Sequence, residues 1–131
     1  MSTAPPLLPI LDRFPALTVA VWGDLVADEF ITGEIARVSR EAPVLILKQR
    51  QRALAPGGGA NAAMNLAALG VRVRVVGALG GDGSGESLGQ QLRRAGVDVC
   101  GLLHLPRYAT PTKSRLLARD PHTSPQELLR V

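Results

Sequence analysis

Gly57-Gly58-Gly59-Ala60-Asn61 sets side-chain-free backbone directly ahead of an alanine-rich stretch, Ala60 to Leu69, that reads as a helix. Unpaired N–H groups and the positive dipole end at such a point favour an anion or a sugar hydroxyl. Glycines at this spacing also serve a tight loop in which strand and helix pack closely, so spacing alone leaves both readings open. Asp24 and Asp28 follow the β-branched apolar run Thr18 to Trp22, at the carboxyl edge where open α/β sheets bind ligands. A carboxylate there can accept two hydrogen bonds from a polyol; it can equally be a solvated loop acid that helps the chain turn. Asn61 offers both a donor and an acceptor, or a simple cap. Lys113 and Arg115, two apart on an expected strand, can clamp a phosphate or line an exposed face.

Other chemistries find less material. Gly57, Gly59 and Ala62 satisfy G-x-G-x-x-A, yet the expected strand before them ends some residues earlier and Pro56 intervenes, which argues against a dinucleotide fingerprint. No G-x-x-x-x-G-K-[ST] occurs, which excludes a P-loop. His104 and His122 have no Cys or acidic neighbours at metal-ligand spacing, so no metal site is expected. Cys100 sits in an apolar run and reads as a buried, inert thiol. Lys48, Arg50 and Arg52 alternate with glutamines as on a solvated edge strand that blocks sheet aggregation.

The elements that must position these residues follow from composition and pattern. A chain of 131 residues, 46% hydrophobic and 20% charged, makes one globular domain. Its aromatics are confined to Phe14, Trp22, Phe30 and Tyr108, too few for base-stacking platforms. A net charge of +4 suits anionic small molecules better than nucleic acid. A single cysteine, no apolar run of about 18 residues and no signal-peptide pattern make a soluble cytoplasmic protein the expectation, with no membrane partner.

Residues 1–16 read as an irregular leader with a short helix over Leu7 to Phe14, ended by Pro15. Strands are expected at Thr18–Trp22, Val44–Arg52, Val71–Val76, Val97–Leu105 and Lys113–Ala118. A glycine-rich turn spans Gly77 to Gly85, and Ser84 caps a helix running to Ala95. A loop is expected at Asp120-Pro121-His122, and residues 125–131 read as the start of a further element. Strand, excursion, helix, strand, helix, strand implies βαβ crossovers and a mainly parallel sheet, an α/β fold.

Gly57-Gly58-Gly59, Asn61, Ala63, Gly70 and Gly80 together resemble the first signature of the ribokinase (PfkB-type) carbohydrate kinases at every defined spacing. Gly23-Asp24 with Asp28-Glu29-Phe30, then Arg37 to Val44, and Thr110-Pro111-Thr112-Lys113-Ser114-Arg115, are similar to the heptose-phosphate kinase branch, which serves ADP-heptose and lipopolysaccharide synthesis. The likeness runs from about Asp12 to Val131.

This resemblance implies a Rossmann-like core with a small β lid, from about residues 31–55 and 107–131, closing over a sugar and often serving as a dimer contact. It implies that Asp28 and Asn61, with Asp24 a further member, hydrogen-bond sugar hydroxyls while Gly57 and Gly58 let backbone approach the sugar. Lys113, Arg115 and Arg37 are the candidate contacts for a sugar phosphate, from their charge and lid position. Arg40 departs from the branch, which has proline there, and the lysine of the ribokinase glycine loop is missing, which argues against ribose. The family's second signature, with its catalytic aspartate, and most of the pocket for ATP with Mg2+ have no counterpart in these residues. The expectation is therefore the truncated N-terminal part of a kinase, over 17–131, inactive alone and without a catalytic residue. It would act as a homodimer through the lid or with a complementary C-terminal half; the alternative is a non-catalytic sugar-binding or lid-dimerisation module, or one half of a split kinase.

Overall fold

The computed structural model describes residues 8–119 and 126–131. Thr18–Trp22 (β1), Arg72–Gly80 (β4) and Asp98–Leu105 (β5) form an all-parallel sheet in the order β1-β4-β5. Leu25–Val38 (β2), Leu45–Gly57 (β3), Thr112–Arg119 (β6) and Gln126–Arg130 (β7) form a second, mixed sheet in the order β3-β2-β6-β7. Within it β2 runs antiparallel to β3 and parallel to β6. Two helices, Gly58–Ala68 (α2) and Gly83–Arg94 (α3), complete the α/β architecture; a one-turn helix, Leu8–Leu11 (α1), precedes β1.

β4 shows why one face of the first sheet is the core. Val73, Val75 and Leu79 are buried while Arg72, Arg74 and Val76 are exposed, the two-residue period of a strand covered on one side. Ala60 and Ala63 of α2 and Leu88 and Leu92 of α3 pack onto that buried row. Alanines on α2 let the helix approach closely, and Gly70 (φ 86°) and Gly96 (φ 77°) end the two helices in the left-handed region. The opposite face is open: Trp22 is 87% and Leu103 63% exposed.

Several sequence expectations change. The helix of the leader is shorter, and Pro15 lies inside a separate 3-10 turn, Phe14–Ala16, where its missing N–H does no harm. Asp82, not Ser84, caps α3: its side chain accepts from Gly85 N–H at 2.8 Å. The glycine-rich turn is confined to the residues after Gly80, because β4 continues through Gly77. Cys100 is exposed; it lies where the register of β5 against β4 shifts, between the partners of Arg74 and Val76. The expected loop at Asp120-Pro121-His122 lies outside the described residues; the element near the C-terminus is β7, antiparallel to β6. Among the described residues no helix is long and apolar enough to cross a membrane.

Candidate functional site

Asp28 is a strand residue rather than a loop acid. It sits in β2, opposite Ala55 of β3 and Lys113 of β6. β3 runs on through Pro56 to Gly57, so the glycines follow a strand at once and the supposed gap before them does not exist. That strand is an antiparallel edge strand, not part of a parallel βαβ unit, so the dinucleotide fingerprint fails on topology instead.

The consequence is a junction. Gly57 is the N-cap of α2, and a Cβ placed on it would meet Asp28 Oδ2 at 2.9 Å and Cγ at 3.1 Å. Gly58 takes φ 52°, and a Cβ there would lie 2.7 Å from the Asp24 carbonyl oxygen. Any side chain at either position would push into the strand or its entry. Gly59 N–H donates to that same Asp24 oxygen at 2.8 Å, tying the start of α2 to the turn between β1 and β2. Asp24 thus contributes main chain to the junction, and its side chain is exposed. Asn61 is exposed on the first turn of α2, where its Oδ1 accepts from Asn65 Nδ2 at 3.1 Å. No side chain caps α2 at Gly57 among the described residues.

In the parallel register Asp28 faces Lys113 and Phe30 faces Arg115, which puts all four side chains on one face of the second sheet. Lys113 is exposed. Arg115 is not: its Nη2 lies 3.7 Å from Asp28 Oδ1, and its guanidinium covers the Phe30 ring 5.0 Å from the centroid. Arg37 is left out, nine residues further along β2, opposite Ile46, roughly 30 Å away at strand spacing.

The other face of β2 carries Glu29, which composition alone did not single out. Buried to 6% exposure, it accepts from Ser114 Oγ and from Arg52 Nε, both at 2.5 Å. Those bonds, first the Ser114 hydroxyl and then Arg52, hold its carboxyl below the usual value of 4.5. Arg52 is therefore not merely a solvated edge charge. A second polar knot anchors the start of β6: Asp82 Oδ2 accepts from Thr110 N–H at 2.7 Å, and Thr110 Oγ1 accepts from Gly80 N–H at 2.9 Å. The signal for it was the Gly81-Asp82-Gly83 run, but its partner lies 28 residues away.

Residues 18–124 match the family model described as pfkB family carbohydrate kinase. The chain belongs to that family. A relative, the bifunctional protein HldE of Azotobacter vinelandii, is 42% identical over 125 residues, covering 95% of this chain and 24% of its own length. HldE of Magnetococcus marinus is 37% identical over 113 residues, 86% of this chain and 22% of its own. The chain therefore spans about a quarter of the length of the curated relatives it matches. Among solved structures, a carbohydrate kinase from Agrobacterium tumefaciens superposes with a TM-score of 0.69 at 28% identity, over 88% of this chain and 34% of that one. A fructokinase from Xylella fastidiosa with bound ATP gives 0.53 at 26% identity, over 84% and 32%. The Rossmann-like, ribokinase-type sheet with flanking helices is thus the fold of this chain as well.

Proposed function

We propose that these residues form the acceptor-sugar side of an ATP-dependent carbohydrate kinase whose substrate is a heptose phosphate. What carries this reading is the Gly57–Asp28 juxtaposition: a carboxylate filling the space beside side-chain-free backbone at a helix N-terminus is a surface on which a polyol can donate and accept at once. Asp28 accepts from sugar hydroxyls, Gly57 and Gly58 admit the ring to the main chain, and Asn61 adds a donor and acceptor from α2. Lys113 faces the phosphate of the sugar. The identity to HldE across nearly the whole chain supports a heptose over other sugars. The second sheet acts as the lid.

In such a kinase a sugar hydroxyl oxygen bonds to the γ-phosphorus as the bond to the leaving phosphate oxygen breaks and the hydroxyl proton passes to a general base that these acceptor-side residues do not supply, and catalysis is mostly positioning and charge stabilisation. ATP with Mg2+, as the family uses, supplies the phosphoryl group. Incubated with heptose 7-phosphate and MgATP, the 131-residue chain is expected to bind sugar and release no ADP. Unchanged sugar affinity in Asp28→Asn would overturn the acceptor assignment, and ADP release by the chain alone would overturn its restriction to that side.

A second reading, half of a kinase completed by another polypeptide, draws on the open face of the first sheet with Trp22 and Leu103 exposed. Co-purification with a C-terminal half would favour it.

A further inference from the structure

We propose that Arg115 is a positioning residue for Asp28 and not a ligand of the sugar phosphate; this rests on the acceptor-site reading above. Charge and location made Arg115 and Lys113 look equivalent. Their surroundings separate them. Binding a phosphate through two parallel hydrogen bonds needs an open edge of the guanidinium fork. In Arg115 the Nε is buried and has no hydrogen-bond partner among the described residues, so the Nε edge is closed to a ligand. One flat side is covered by Phe30 at 5.0 Å, and Nη2 is turned to Asp28 Oδ1 at 3.7 Å. Both side chains of the pair are only 25% exposed. Lys113, one register step away beside Asp28, is exposed and carries none of these commitments.

Seen from Asp28, the arrangement is a clamp. Oδ1 has the Arg115 charge on one side, and Oδ2 abuts Gly57 on the other. At 3.7 Å the Arg115 contact is an ion pair too long to count as a hydrogen bond, so it orients the carboxylate without using its lone pairs. Those lone pairs stay available to sugar hydroxyls. The phosphate is left to Lys113, and the division of labour is one cation for the ligand and one for the ligand's acceptor.

The test is a double-mutant cycle read with two probes, D-glycero-D-manno-heptose 7-phosphate and the same heptose without phosphate, titrated calorimetrically. Arg115→Ala is expected to weaken both probes by the same factor, about tenfold. It should add little in the Asp28→Asn background, since the residue it orients is already disabled. Arg115→Lys, which keeps the charge, should recover part of the loss, whereas Lys113→Ala should weaken the phosphorylated probe alone. A loss in Arg115→Ala confined to the phosphorylated sugar, full additivity with Asp28→Asn, or no loss at all would each overturn the proposal while leaving the acceptor site standing. If Asp28→Asn itself changes neither affinity, the acceptor-site reading fails first. Should Arg115→Ala lose its far-UV circular dichroism, Arg115→Gln, which keeps the stem over Phe30, is read by the same criteria.

Discussion

The carboxylate of Asp28 fills the space that a side chain on Gly57 would need, although 29 residues separate them in the chain, because β2 and β3 pair so that Val26 faces Gly57 and Asp28 faces Ala55. The glycine is there for the space beside it and not for freedom to turn: Gly57 itself has φ −120°, which any residue adopts. This separates its role from that of Gly58, whose φ of 52° needs glycine on conformational grounds.

Gly57→Ala is therefore expected to act through Asp28. The new methyl must displace a carboxylate at 2.9 Å, costing about 1–3 kcal/mol of stability by overpacking. Sugar affinity should fall about tenfold or more as the carboxylate turns away. Calorimetric titration beside a thermal melt checks both; a destabilised variant with intact affinity would mean that the contact is packing alone.

Glu29 predicts an acid limb of stability. Its carboxyl is held below the usual 4.5, chiefly by the Ser114 hydroxyl and then by Arg52. The group is charged more readily in the folded chain than in the unfolded one. Its contribution is thus complete above the unfolded value of 4.5 and drains away as pH falls through the lower folded value. Glu29→Gln should melt lower than the parent at neutral pH, by roughly 1–3 kcal/mol for the charged hydrogen bonds lost, and should show a shallower decline on acidification. Parallel slopes for the two proteins between pH 6 and 3 would remove Glu29 from the account.

How much of this was legible in the sequence depends on what each residue answers to. α2 was readable because glycines bracket it and alanines fill it, both local signals. β2 was not, since Glu29 occupies an inward position where a strand pattern calls for an apolar residue, and what satisfies it comes from Arg52 and Ser114 on two other strands. The Asp28–Arg115 pair spans 87 residues and exists only once the parallel register of β2 and β6 is set, so charge alone left Arg115 and Lys113 indistinguishable. Cys100 was misplaced for the converse reason: its run is apolar, but the register of β4 and β5 shifts beside it and leaves it exposed.

That exposed Cys100 should nevertheless be slow to alkylate. The Asp98 carboxylate, held down to about 2 by the Cys100 N–H and thiol and by Arg74, accepts from the thiol and pushes its pKa up. Since the thiolate is the reactive form, iodoacetamide at pH 8 should label Cys100 more slowly than a model thiol, and Asp98→Asn should speed labelling several-fold. Equal rates in the two proteins would show that the pair has no hold on the thiol.

The central claim is that Asp28, the Gly57–Gly58 backbone and Asn61 face one bound sugar. Titration of the 15N-labelled chain with D-glycero-D-manno-heptose 7-phosphate, followed by amide chemical shifts, tests it most directly. The largest shifts should fall on Gly57, Gly58, Asn61 and the β2 amides around Asp28, and should vanish in Asp28→Asn. Shifts gathered instead around the cleft of Arg52, Asp82 and Ser87, or surviving unchanged in Asp28→Asn, would contradict it.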